Sequence, residues 1–189
     1  MNFPRATRTS IVGLLAVSFS LLANPSEGLA QTAAENKHAR QGFWFTLGGG
    51  GGSLGCDDCG GTRESGATGQ LALGGTISPR LQLGASSNVW AKNVEGVTVT
   101  MSSLTAIAKF YPSAASGFFL TGGLGLGQLE FSEGSESLKD DGTSAILGIG
   151  YDIRVAKNFS ITPFLNGVGA SFDGSSANFN QFGISLTWH

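Results

Sequence analysis

Large apolar residues alternate with small or polar residues in many short segments of this sequence. The last eight residues, 182–189, show the alternation most strictly, with Phe182, Ile184, Leu186 and Trp188 on one phase. Successive side chains of a β-strand point to opposite faces, so this segment predicts a strand with one apolar face and one polar face. An aromatic residue at the end of such a strand is typical of a membrane-spanning β-barrel.

Seven further segments upstream carry the same alternation over about ten residues, the length expected of a barrel strand. The pattern therefore predicts an all-β fold, an eight-stranded antiparallel up-and-down transmembrane β-barrel. Pro163 interrupts the seventh segment, and because proline has no backbone N–H we expect a bulge there. The outward, apolar phase of the eight predicted strands consists of Phe43, Phe45 and Leu47; Leu71, Leu73 and Ile77; Leu81, Leu83, Ala85 and Val89; Leu104, Ala106, Ala108 and Phe110; Phe118, Leu120, Leu124 and Leu126; Ala145, Leu147, Ile149, Tyr151, Ile153 and Val155; Phe159, Ile161 and Leu165; and Phe182, Ile184, Leu186 and Trp188.

Charged residues are absent from the outward phase of these segments. Lys92, Lys109, Asp152 and Arg154 all fall on the inward phase. A lysine or arginine facing lipid at mid-depth costs roughly 2–4 kcal/mol, which explains the segregation. Buried charges are tolerated when they are paired, so Lys109, Asp152 and Arg154 are candidates for a polar network in the barrel lumen, with ion selection by a pore lining as the alternative.

The connections between the predicted strands differ in length, which suggests the topology. Short turns at 78–80, 111–117 and 156–158 are assigned to the periplasmic side, and longer loops at 54–66, 93–96, 130–142 and 173–178 to the outside. Aromatic rings prefer the headgroup level, so we expect a periplasmic girdle and a thinner outer rim. The girdle would comprise Phe43, Trp44, Phe110, Tyr111, Phe118, Phe119, Phe159 and Trp188, and the rim Trp90, Phe131 and Phe172.

The N-terminus has the features of an export signal. Arg5 and Arg8 precede an apolar run at 11–23, and Gly28-Leu29-Ala30 supplies small residues before a cleavage site. We therefore expect a signal peptide at residues 1–30, a flexible leader at 31–41 and a barrel domain at 42–189.

Composition agrees with an exported membrane barrel. Only 13% of residues are charged and 30 of 189 are glycine, against usual shares of about 25% and about 7%. The net charge of −2 gives no basic field for nucleic acid, and no nucleotide-binding or metalloprotease motif occurs. No cofactor and no metal are expected.

Three features carry possible chemistry. Cys56 and Cys59 are predicted to form a disulfide that pins the first external loop, because an exported protein meets an oxidising compartment; a redox pair would need a βαβ context that is missing. Acidic residues between 130 and 141 predict a solvated external loop and match no calcium motif. His38 and His189, the only histidines, cannot be placed in a catalytic triad from the sequence, so no enzymatic activity is expected.

The strand pattern, the signal peptide and the terminal strand Phe182-Ile184-Leu186-Trp188 resemble the small eight-stranded bacterial outer-membrane barrels of the outer-membrane protein A/X class. The resemblance covers residues 42–189 and rests on architecture. Barrels of this class usually end in Phe, whereas His189 follows the aromatic Trp188 here.

The resemblance implies a monomeric, non-enzymatic protein of the outer membrane. Its partners would be outer-membrane lipids, lipopolysaccharide and the outer-membrane insertion machinery, and its role would be structural or one of surface interaction through the external loops. Two alternatives stay open at this point: a narrow pore for small solutes, and a soluble periplasmic barrel that binds lipid in an apolar interior.

Overall fold

The computed structural model describes residues 40–56, 62–94, 96–134 and 136–189. The predicted signal peptide and residues 31–39 of the predicted leader lie outside them. Among the described residues, no helix is long and apolar enough to cross a membrane. The described residues form nine strands: β1 (Phe43–Cys56), β2 (Glu64–Ser78), β3 (Leu81–Val94), β4 (Val97–Phe110), β5 (Phe118–Glu133), β6 (Glu136–Tyr151), β7 (Ile153–Ala156), β8 (Phe159–Phe172) and β9 (Ser175–Trp188).

These strands close into one antiparallel barrel with eight strand positions. From β1 to β6 each strand pairs with the next one in sequence, and β8 pairs with β9. β1 pairs with β9, and β6 and β7 both pair with β8. The predicted fold class is therefore confirmed. We call the end that carries Arg40, His189 and the connections 79–80, 111–117 and 157–158 the near end, and the opposite end the far end.

The two faces of the barrel wall have opposite character, as the alternation predicted. Large apolar side chains such as Leu124, Leu147 and Ile184 are exposed on the outer face, whereas polar side chains such as Asn88, Gln181 and Thr187 are buried inside. A soluble lipid-binding barrel would need the reverse arrangement, so that alternative is wrong.

Pro163 interrupts the barrel wall without a bulge. Gly150 pairs with Phe164 and Ile153 pairs with Ile161, so the register of β6 against β8 continues unchanged into β7. Between these pairs Tyr151 and Asp152 face a backbone without an N–H at Pro163, and the ladder is lost there. The predicted bulge is wrong: β6 and β7 form one strand position that is interrupted opposite the proline.

The far end consists of long hairpins where the sequence predicted loops. Only two residues separate β3 from β4, β5 from β6, and β8 from β9. Each of these turns contains a glycine with positive φ: Gly96 at 93°, Gly134 at 57° and Gly174 at 84°. The segments 130–133, 136–142 and 175–178, which were predicted as loops, are therefore strand. A 14-residue strand such as β9 has a height of about 35 Å along the barrel axis, at about 3.3 Å per residue and a tilt of about 40°. That exceeds the roughly 25 Å apolar band of a membrane barrel.

Several aromatic residues predicted at the membrane interface point inward instead. Trp44, Tyr111 and Phe119 from the predicted girdle, and Trp90 and Phe172 from the predicted outer rim, are buried in the barrel. Those positions fall on the inward phase of their strands, which closeness to a strand end does not reveal. Two outward members of the predicted girdle, Phe159 and Trp188, form a ring contact with centroids 5.0 Å apart. Trp188 also packs against Phe45 of β1 at 5.9 Å.

Candidate functional site

The near end of the lumen is organised around Asp152. Its Oδ1 accepts a hydrogen bond of 2.8 Å from the Thr162 hydroxyl, and its Oδ2 accepts one of 2.9 Å from the Tyr111 hydroxyl. The backbone N–H of Asp152 donates to the Gly117 carbonyl oxygen at 2.9 Å on the β5 side. These three hydrogen bonds hold Asp152 in place in the lumen.

Arg40 closes the near end. It is 2% exposed, its guanidinium lies 3.5 Å from the centroid of the Tyr111 ring, and its Nε lies 3.9 Å from Asp152 Oδ2. Arg40 Nη2 also donates to the Ser116 carbonyl oxygen at 2.7 Å. Arg40, near the end of the predicted leader at 31–41, is thus held in the barrel mouth, because the planar guanidinium can stack on a ring and donate to a carbonyl oxygen at the same time.

The three residues predicted for the lumen network occupy different surroundings. Lys109 is buried, and its ammonium nitrogen lies 4.2 Å from the Trp44 ring centroid and 5.1 Å from that of Phe119. Arg154 is half-buried and donates to the Lys157 carbonyl oxygen at 3.0 Å. Asp152 instead bonds two hydroxyl groups. The alternation placed these side chains on the inward phase but could not name the groups that surround them.

At the near end, His189 lies close to both a serine and an aspartate. Its Nε2 lies 3.2 Å from Ser160 Oγ and 3.9 Å from Asp152 Oδ2, while its Nδ1 is buried without a hydrogen-bond partner in the part of the chain that the structure describes. A catalytic triad needs the carboxylate on the nitrogen opposite the serine. Both partners of His189 approach the same nitrogen, so this arrangement lacks triad geometry.

The middle of the lumen is filled by amides and hydroxyls. Gln181 Nε2 donates to Asn88 Oδ1 at 2.7 Å, Asn88 Nδ2 donates to Ser86 Oγ at 2.9 Å, and Asn166 Nδ2 donates to Gln70 Oε1 at 3.1 Å. These bonds join side chains of β2, β3, β8 and β9 across the interior. Buried polar groups of this kind need partners, and the network supplies part of them; Gln181 Oε1 is buried without a hydrogen-bond partner among the described residues.

The far half of the lumen is an apolar core. Trp90, Met101 and Phe179 are almost completely buried there and pack with Val168 and Ala177. Between this core and the near-end cluster lies a cavity of about 20 Å³, lined in part by Lys109. Such a cavity holds about one water molecule. Buried side chains therefore fill both halves of the described lumen.

The far end extends beyond the barrel wall as a sheet of β4, β5 and β6. The ladder between β6 and β8 stops at the pair of Thr143 and Ser171, and β8 ends at Phe172. Residues 136–141 of β6 consequently pair with β5 on one side and with no described strand on the other. We call residues 128–141 the extension, and residues 136–141 its free edge.

Apolar side chains lie exposed on one face of the extension. Phe131 pairs with Leu138 across β5 and β6, and Val97 lies on the adjoining strand. Leu138 is 72% exposed, and these residues line a groove of about 530 Å³ together with Glu133 and Glu136. On the opposite face, Lys139 Nζ lies 3.3 Å from Glu130 Oε2 and Gln128 donates to Asp141 at 2.8 Å.

The extension is also strongly acidic. It contains Glu130, Glu133, Glu136, Asp140 and Asp141 against the single base Lys139, a net charge of −4. The acidity was expected from the sequence, but its place on a strand pair with a free edge was not.

The remaining candidates give no site. Cys56 ends β1, and Cys59 lies outside the described residues, so the predicted disulfide stays a prediction. No group of three or more His, Cys, Asp or Glu side chains suited to a metal ion occurs within 40–56, 62–94, 96–134 and 136–189.

Comparison with known proteins yields matches in structure and not in sequence. No protein-family model matches the chain, and no curated protein is detectably similar in sequence. The crystal structure of Neisserial surface protein A superposes with a TM-score of 0.62 at 12% identity, covering 79% of this chain and 98% of that one. Ail, the attachment invasion locus protein of Yersinia pestis, crystallised with the heparin analogue sucrose octasulfate, superposes with a TM-score of 0.58 at 17% identity, covering 78% of this chain and 99% of that one. At these identities the likeness concerns the fold: the chain folds as a small eight-stranded β-barrel of the outer-membrane type.

Proposed function

We propose that this protein is a non-enzymatic integral barrel of the bacterial outer membrane that presents the extension as a binding surface outside the cell. The apolar outer face and the closure of the barrel support membrane insertion, because a sheet satisfies all of its backbone groups in lipid only when it closes on itself. In this proposal the near end faces the periplasm. The barrel is monomeric, is inserted by the outer-membrane machinery, and contacts outer-membrane lipids and lipopolysaccharide along its apolar face.

The packed interior supports an anchor rather than a pore. Trp90, Met101 and Phe179 fill the far half, and Arg40 with Tyr111 and Asp152 fills the near end. We expect no steady conductance when the folded protein is reconstituted in planar bilayers, together with a heat-dependent gel shift typical of folded barrels. A steady open state would contradict the packed interior.

The single observation that carries the binding role is the free edge at 136–141. Unpaired N–H and C=O groups on a sheet edge accept an added strand from a partner, and neighbouring pockets for side chains give specificity. The edge borders the groove of Phe131 and Leu138, which would hold an apolar side chain of the added strand.

Charge defines the kind of partner. With a net charge of −4 the extension would repel polyanions and attract a cationic chain. The heparin analogue bound by Ail is a polyanion, so the two proteins would differ in ligand although they share a fold. We therefore propose an extended polypeptide with alternating basic and apolar side chains as the partner.

The test uses the folded protein in detergent and a labelled octapeptide of alternating lysine and valine. We expect saturable binding that weakens with salt, and at least tenfold weaker binding for E133K/E136K. The matched control is D173K, which reverses an exposed acid at the turn between β8 and β9 and leaves the extension intact. Equal binding by all three proteins would refute the role of the extension, and Leu138→Ser separates a loss of groove contact from a loss of charge.

A further inference from the structure

Lys109 is a buried cation that forms no ion pair with any of the residues that the structure describes. Within the described residues, no carboxylate lies within 4.0 Å of its ammonium nitrogen, whereas Arg40 and Asp152 face each other at 3.9 Å. The rings of Trp44 and Phe119 lie against the ammonium group, at 4.2 and 5.1 Å from its nitrogen. A desolvated cation–π contact contributes about 2 kcal/mol, but the effective penalty for burying an ion is several kcal/mol.

The cavity of about 20 Å³ beside Lys109 has positive charge in its lining and no negative charge. Its polar members include Lys109, Gln70, Ser86 and Thr121, and no carboxylate is among them. The amide oxygen of Gln70 accepts from Asn166, which leaves the Gln70 amide N–H₂ to donate, and Ser86 Oγ accepts from Asn88, which leaves the Ser86 hydroxyl hydrogen to donate. Nearby, the Trp44 indole N–H is buried and has no acceptor among the described residues.

We propose that this cavity binds a small monovalent anion such as chloride, held by the Lys109 ammonium and by the Gln70 and Ser86 donors. Its volume matches one water molecule or one ion of similar size. An anion accepts hydrogen bonds from the Lys109 ammonium and from the Gln70 and Ser86 donors, and it neutralises the buried charge. A water molecule would leave the ammonium without an ion-pair partner within 4.0 Å among the described residues. The anion would thus complete the interior between the near-end cluster and the far-end core.

The decisive experiment is crystallography of the folded protein with bromide replacing chloride. We expect one anomalous peak within hydrogen-bond distance of Lys109 Nζ. The peak should vanish in K109Q and stay in K92Q, which removes a lysine that pairs with Glu64 at the far mouth. Density at the cavity without an anomalous signal, or anomalous peaks only on the outer surface, would overturn the proposal.

Unfolding in solution provides a second readout that does not depend on crystals of the variants. At constant ionic strength, exchanging gluconate for bromide should raise the urea midpoint of the wild type and of K92Q. Ser86→Ala keeps the cation and removes one donor, so its midpoint should respond to higher bromide concentrations only. If K109Q shows the same bromide response as the wild type, the anion binds elsewhere and the assignment is wrong.

Discussion

Replacing Arg40 with alanine tests whether a residue outside the strands helps to hold the barrel together. Arg40 donates to the Ser116 carbonyl oxygen at 2.7 Å, stacks on the Tyr111 ring at 3.5 Å and faces Asp152 at 3.9 Å. Removing one member of a buried ion pair typically costs about 3–5 kcal/mol, because the remaining charge loses its compensation. Arg40→Ala should therefore lower the free energy of unfolding by about 3 kcal/mol or more.

The assay is reversible urea unfolding of the refolded protein in detergent or thin bilayers, followed by tryptophan fluorescence. Arg40→Lys keeps the charge but loses the planar fork, so we expect an intermediate loss. The control is Arg80→Ala, because Arg80 lies exposed in the turn between β2 and β3 and surface changes stay within about 0.5 kcal/mol. Combining Arg40→Ala with Asp152→Asn should cost less than the two losses added together, since the two side chains share one interaction. A loss below 1 kcal/mol for Arg40→Ala would refute the account of Arg40 as a fixed closure.

Two further stability predictions concern the barrel seam and the far mouth. Gly50→Ala should destabilise the barrel by about 1–3 kcal/mol, because a Cβ at Gly50 would lie 2.0 Å from the Phe182 carbonyl oxygen of β9. Gly49→Ala is the control: its Cβ would lie 3.3 Å from the nearest atom, so the loss of stability in the same urea assay should be clearly smaller. Equal losses for the two variants would contradict the packing argument. Glu64→Gln breaks the partly exposed ion pair with Lys92 and should cost less than about 1 kcal/mol, an effect that disappears in high salt; a salt-independent loss would show that the pair is screened from solvent.

The sequence predicted the barrel well wherever the outer face of the strands is apolar. Between Leu120 and Leu126, for example, large apolar residues of the outer face alternate with small residues of the inner face. This alternation can be seen directly in the sequence. At the far end the same strands continue beyond the closed wall, where both faces of a strand can be polar. The alternation fades at 130–141 although the hydrogen-bonded ladder does not, and the pattern was therefore interpreted as a loop.

The near-end cluster was predicted only in part, for a different reason. Asp152 and Lys109 were found because a charge within an apolar alternation stands out. Arg40 lies before the first strand, and only the closed ring of strands brings it to Tyr111 and Asp152, 71 and 112 positions further along the chain. Contacts of this kind depend on register and closure, which alternation within single strands cannot supply.

The packed lumen separates the two ends of the molecule in energetic terms. Side chains such as Arg40 and Asp152 are enclosed in the lumen, away from the proposed binding surface. Their replacement should therefore change stability and leave peptide binding by the folded fraction unchanged. The free edge and Glu133 with Glu136 lie beyond the wall and make few contacts inside the barrel, so their replacement should change binding and leave the urea midpoint within about 0.5 kcal/mol. If an Arg40 variant that is still folded binds the lysine–valine peptide more weakly, the two ends are coupled through the wall, and the division between an inert anchor and a binding extension fails.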